Sequence, residues 1–213
     1  MATLGDIITE IADDVDDTTG EYTSQIRRAI LEAIRYCERT TYYFNETRDP
    51  TFSTVVGQEW YGSSQNSNIP TLVRIQALFY IDTAGNVLEM RRTSPEELEV
   101  LSDNSASTGE PSHWTYFNQL IRVYPIPNGD YTIRMQLGPY RLVTLTSDTD
   151  TNAWLSEARD MVKTYAKYLF HKNTTKDAAL AQEAFNDYRA QDAALSAETS
   201  SRNGIGRIEA TVF

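Results

Sequence analysis

The sequence predicts an α+β protein: an antiparallel helical bundle built from both ends of the chain, with an inserted antiparallel β-sandwich or barrel-like domain and an extended C-terminal tail. Three observations predict it. Apolar residues recur at helical spacing near both ends of the chain, they alternate with period two through its middle, and the last stretch, RNGIGRIEATVF, follows neither pattern. The expected boundaries are 1–44 and 148–200 for the two parts of the bundle, 45–147 for the β domain and 201–213 for the tail.

Leu4, Ile7, Ile8, Ile11 and Val15 mark a short first helix, ended by the acidic cluster Asp13, Asp14, Asp16 and Asp17 and by Thr18-Thr19-Gly20. Tyr22, Ile26, Ala29, Ile30, Ala33, Cys37 and Thr41 form one stripe of a longer second helix, with Arg27, Arg28, Glu32 and Arg35 on other faces. From about Tyr42 the period changes. FSTVVGQEWY, LVRIQALFYI, NVLEMRR, YFNQLIRVY and YTIRMQL are rich in β-branched and aromatic residues and are separated by Gly, Asn, Ser and Pro. In IRVYPIPNGDYTIRM, Asn128-Gly129 offers the positive backbone dihedrals of a tight turn between two alternating runs, which predicts a β-hairpin. Asp82 to Asn86 predicts a second one. Ser94-Pro95-Glu96-Glu97 has the form of a helix start, so a short helix over 95–101 interrupts the strands, and LSDNSASTGEP after it reads as a loop.

Helical spacing returns at Trp154, Ala158, Met161, Val162, Tyr165 and Leu169. After the polar turn HKNTTKD it resumes at Ala181, Ala184, Phe185, Tyr188 and Leu195, with Thr174 and Asp177 placed as a capping box. Both stripes are too apolar to be left in water, so Ile26, Ile30 and Ala33 are expected to pack against Trp154, Met161 and Tyr165 as the bundle core.

Forty per cent apolar content is enough for a core in a chain of 213 residues. The net charge of −11 and pI near 4.6 argue against non-specific attraction to nucleic acid, although acidity also serves solubility. Acidic residues outnumber basic ones 11 to 5 over residues 1–50 and 11 to 6 over 51–150, while 151–213 carries 8 of each. Cys37 stands alone, which excludes an internal disulfide and a thiolate cluster and fits a reducing compartment; on the helical stripe it reads as a small buried hydrophobe. No apolar run approaches the ~20 residues of a membrane span, and the N-terminal stretch lacks the features of a signal peptide.

No catalytic residue, metal site or cofactor is expected. The chain has no phosphate-binding Gly-rich loop, no His-Glu-x-x-His pair and no nucleophile elbow, and His113 and His171 lie on different elements. Asp148, Asp150 and Asn152 match the start of a calcium loop, but Ala153 stands where Gly is needed and Arg159 where the bidentate Glu belongs, so they read as caps for the helix beginning near Asn152. Glu96, Glu97 and Glu99 are explained as helix-start acids rather than a glycosidase pair. The 13 Tyr, many in or beside the β block, allow either ordinary core packing or an exposed face that binds carbohydrate or a receptor protein.

The order of segments carries one further reading. The helical start, YYFNETRDPTFSTVVGQEWY, LEMRRTSPEELEVL, STGEPSHW, LIRVYPIPNGDYTIRM, SDTDTNAWLSEARDMVKTYA and the terminal GIGRIEA together resemble the head-to-tail adaptor (connector) proteins of tailed bacteriophages. The resemblance covers nearly the whole chain. It implies a structural protein of the virion, made in the host cytoplasm: a ring, usually of twelve copies, beneath the portal protein of the DNA-filled head, with a tail or nozzle protein on its far side. The genomic DNA would pass the channel without sequence-specific binding, and no membrane is involved. It also implies a C-terminal arm that reaches the portal, which places Arg202, Gly204, Ile205, Gly206, Arg207, Ile208, Val212 and Phe213 at that contact.

Overall fold

The computed structural model describes residues 2–69, 74–82, 84–102, 107–142 and 144–203. The chain divides into two compact units, Met1–Phe44 with Leu142–Phe213, and Asn45–Arg141. The fold is α+β, with six α-helices among the described residues: α1 (Leu4–Asp14), α2 (Thr23–Cys37), α3 (Pro95–Ser102), α4 (Ala153–Ser156), α5 (Arg159–Phe170) and α6 (Ala178–Asn203). No described helix is long and apolar enough to cross a membrane.

All of these helices except α3 belong to the first unit. Thr3 starts α1 with a reciprocal cap: its hydroxyl accepts from the Asp6 backbone (3.2 Å) while the Asp6 carboxylate accepts from the Thr3 backbone (2.8 Å). Close approach fixes the same end. The Gly5 amide donates to the Asp148 carbonyl (2.8 Å), and a Cβ on Gly5 would come within 3.1 Å of that oxygen. Leu4, Ile7, Ile8 and Ile11 of α1, Ile26, Ala29, Ile30, Ala33 and Cys37 of α2, and Met161, Val162, Tyr165 and Ala166 of α5 share one buried cluster. Tyr188 and Leu195 bring α6 into it.

Asn152 caps α4, its side chain accepting from the Trp154 amide (3.0 Å), as the sequence predicts. The capping box expected at Thr174 and Asp177 is not formed. Residues His171–Thr175 make one turn of π-helix, Lys176 takes a left-handed conformation (φ 56°), and Asp177 caps α6 alone by accepting from Ala179 (2.9 Å) and Leu180 (3.0 Å).

Among the described residues the second unit holds ten strands in three sheets, none closed into a barrel. One sheet has the order β1 (Thr51–Ser53), β10 (Thr132–Leu137), β3 (Ile75–Ile81), β4 (Val87–Glu89) and is antiparallel throughout. The other has the order β2 (Trp60–Tyr61), β8 (Leu120–Tyr124), β7 (His113–Phe117), β5 (Arg91–Arg92), with β5 parallel to β7. A short parallel pair, β6 (Thr108–Gly109) with β9 (Ile126–Pro127), runs through part of what reads in the sequence as a loop. Both four-stranded sheets feed one core: Phe52, Leu78, Tyr80, Ile133 and Met135 from the first, Tyr61, Trp114, Ile121 and Val123 from the second.

The hairpin expected at Asn128-Gly129 is not there. β8 and β10 lie in different sheets, and neither Asn128 nor Gly129 has a positive φ. Pro125 and Pro127 have no N–H to give to a ladder, and the amide of Ile126 between them donates to Ser107 instead (3.0 Å). The tight turn sits ten residues earlier, where Asn118 (φ 49°) and Gln119 (φ 63°) join β7 to β8 and put Phe117 opposite Leu120. The link from Asp82 to Asn86 does join paired strands, with Ile81 opposite Val87, Gly85 at φ 86° and the Asp82 carboxylate accepting from the Asn86 amide (2.7 Å). The short helix also forms where expected, its first turn held by the Ser94 hydroxyl accepting from Glu97 (3.1 Å).

Candidate functional site

The residues expected to form the core of the helical unit are brought together: Ile26, Ile30, Ala33, Trp154, Met161 and Tyr165 all fall in one buried cluster. Tyr42 ties that core to α6, its hydroxyl donating to the Asp192 carboxylate (2.5 Å) and lying 3.6 Å from the Met161 sulfur. Burial, aided by Asp192, keeps this phenol protonated. Burial likewise pushes the Cys37 thiol up to about 12, so no reactive thiolate is available there.

Of the residues assigned to a C-terminal arm, Arg202 is described, and it lies in helix rather than in an extended segment. Its guanidinium pairs with Glu198 (2.5 and 3.0 Å) and sits 3.8 Å from the centre of the Tyr43 ring, whose hydroxyl donates to Glu157 (2.7 Å). The helix holds its register here because Arg202 and Glu198 are one turn apart and Thr199 meets the backbone of Tyr43 (3.4 Å). Gly204, Ile205, Gly206, Arg207, Ile208, Val212 and Phe213 lie outside the described residues.

A second group was not foreseen from sequence spacing. Glu10 and Asp14 of α1 face Arg159, Lys163 and Lys167 of α5: Glu10 pairs with Arg159, Lys163 reaches Asp14 (2.9 Å) and Glu10 (3.7 Å), and Lys167 reaches Asp14 (3.4 Å). Partial burial opposes ionisation of Asp14, but the two lysines outweigh it and hold its carboxyl below the usual range. Only the i, i+4 spacing of Glu10 and Asp14 against Arg159, Lys163 and Lys167 hinted at this ladder, and it gives no clue that the two helices meet.

The chemistry considered and set aside in the sequence is also placed. Among the described residues no group of three or more His, Cys, Asp or Glu side chains is arranged to hold a metal ion. Asp148 pairs with Arg27, and Asp150 accepts from the backbones of Thr146 (2.7 Å) and Ser147 (2.8 Å), hydrogen bonds that lower its pKa. Glu99 pairs with the buried Arg122 (2.5 Å), which also takes Glu59 (2.8 Å) and ties α3 to β8 and to the residue before β2. The tyrosines of the β unit, Tyr61, Tyr80, Tyr116, Tyr124, Tyr131 and Tyr140, are all buried or half-buried, so they form no exposed row of rings for a glycan.

No curated protein matches the chain. The family model described as SU10 adaptor protein matches residues 2–209, nearly the full length. The chain therefore belongs to the SU10 adaptor protein family, a family of phage head-to-tail adaptors.

Proposed function

We propose that the protein is a structural part of the virion that assembles as a ring beneath the portal, joins the DNA-filled head to the tail and continues the DNA channel. Family membership over residues 2–209 carries this reading, and that family is structural rather than enzymatic. In the ring, usual for connectors at twelve copies, the helical unit acts as an antiparallel bundle forming the wall. The two sheets of the β unit stack as a sandwich inserted into it, available to the tail or nozzle protein. A net charge of −11 on every copy supports a channel that repels phosphate, so the genome passes and leaves on ejection without adhering.

The portal contact is assigned to the C-terminal arm, launched from the end of α6 at Arg202. Gly204 and Gly206 let its backbone follow a groove, Ile205, Ile208, Val212 and Phe213 supply apolar side chains for pockets, and Arg207 supplies a cation for an acidic residue of the portal. Ring closure makes the docking of each later arm effectively intramolecular, which offsets the cost of ordering it. Deleting residues 204–213 spares every described contact, so the circular dichroism should stay unchanged while heads and tails no longer join. Wild-type portal affinity in the truncated protein would move the anchor to the helical unit.

A further inference from the structure

We propose that the ring closes through two different faces of the helical unit: the arginine stripe on α2 of one copy enters the carboxylate-lined groove between α1 and α6 of the next. This inference rests on the ring reading above and names the contact that makes it.

The first face is basic in a protein with an excess of acid. Arg28, Arg35 and Arg39 are exposed, and their spacing puts them on one side of α2 and its end, with Glu32 as the acid among them. None of the three has an ion-pair partner among the described residues, although Arg27 beside them is paired with Asp148. Tyr36, 43% exposed, borders the stripe, stacked on Tyr165 with ring centres 4.6 Å apart and approached by the Arg39 guanidinium. A rigid aromatic beside arginines without ion-pair partners is the composition of an interface centre rather than of a solvated helix face.

The second face is a cavity of about 460 Å³ where the end of α1, the end of α5 and the start of α6 converge, lined by Asp14, Asp16, Lys167, Asp177, Glu183 and Asp187. Lys167 is taken up by Asp14, and Asp177 is committed to capping α6. Asp16, Glu183 and Asp187 are left without a cationic partner among the described residues, and Leu180 on the same wall is 45% exposed. Glu183 and Asp187 are one helical turn apart on α6, about 6 Å along the axis, while Arg35 sits in the last turn of α2 and Arg39 just beyond its end, so the end of α2 of one copy lying along α6 of the next sets both arginines against both carboxylates.

Within one copy the arginines of α2 do not meet these carboxylates. The contact therefore joins unlike surfaces, and a heterologous contact repeated with one sense closes a ring when its rotation permits. Complementary charge at the seam also lets copies with a large net negative charge approach one another.

A charge swap in assembled particles tests the proposal. Arg35→Glu with Arg39→Glu is expected to cut the protein retained at the head–tail junction by about tenfold or more, and Glu183→Arg with Asp187→Arg to do the same. One chain carrying all four changes should recover near wild-type retention. Tolerance of either reversed pair, or a fourfold variant no better than its parents, overturns the interface; the second result is also what portal or DNA contact by the arginines would give. Matching circular dichroism of the purified variants excludes misfolding. A second readout needs no charge reversal: Arg39→Cys with Glu183→Cys, treated in wild-type-like particles with a short bismaleimide, should yield covalent multimers, while buried Cys37 stays silent. Imaging the wild-type junction separates the two levels. A ring without rescue or cross-linking refutes this seam alone, whereas no ring refutes the ring reading and the seam together.

Discussion

Trp154 in the helical unit and Trp114 in the β unit are both fully buried, yet they are held by different means. Trp154 meets the edges or faces of Tyr42 and Phe44 at ring distances of 5.8 and 4.9 Å, and its indole N–H has no hydrogen-bond partner among the described residues. Trp114 gives its N–H to the Met90 carbonyl (3.2 Å) and lies beneath the Arg92 guanidinium (5.2 Å). The same residue type thus serves as packing in one unit and as a polar tie between strands in the other. Helices satisfy their own backbones and need only apolar faces to associate, whereas short strands such as β4, β5 and β7 need specific cross-links to hold a register.

The largest effect expected from this contrast is in the helical core. Met161→Asp places a charge among residues that have no means of neutralising it, and should cost about 5 kcal/mol or more, enough to abolish the helical signal in circular dichroism. Next comes the tryptophan pair. Trp114→Phe should destabilise by about 1–3 kcal/mol more than Trp154→Phe in denaturant titrations, because only the first orphans a buried carbonyl. Equal losses would break the comparison. Arg122→Ala should cost about 1–3 kcal/mol by the same measurement, since it strands the partly buried Glu59 and removes the tie from Glu99 of α3 to the second sheet.

Smaller shifts sharpen the picture. Gln119→Gly relieves a left-handed residue in the β7–β8 turn and should stabilise by about 1 kcal/mol, while Gly129→Ala, which requires no positive φ and meets only the Tyr131 ring at 3.5 Å, should leave the melting temperature nearly unchanged. Acid should act on the helical unit through Asp14. Its folded pKa lies below the ordinary value of 3.8, so its contribution is fully present above that pH and is lost as the pH falls through the lower folded value. Asp14→Asn should flatten that part of the stability profile.

Much of the helical unit was legible because each stripe is local. Leu4 to Ile11, Ile26 to Cys37 and Met161 to Tyr165 recur at helical spacing whatever they pack against, and Asn152 announced its cap. Thr174 misled because the π turn His171–Thr175 moves the cap to Asp177. The β unit was legible in its strands but not in their partners. Asn128-Gly129 has the stronger local turn signal, yet the chain turns at Asn118-Gln119, where strand pairing forces a glutamine into a left-handed conformation. Pairing between residues far apart, such as Phe52 with Ile133, leaves no local trace. Arg28 and Arg35 could be put on the outer faces of α2 from spacing alone, but the carboxylate groove could not, because α1, α5 and α6 build it from distant segments.

The central claim is tested most directly by electron microscopy of the head–tail junction in particles, with the protein located by a label on the β unit. The account predicts a closed ring of copies between portal and tail, with the helical units side by side in its wall. Absence of the protein from the junction, or its presence there as isolated copies, would contradict it.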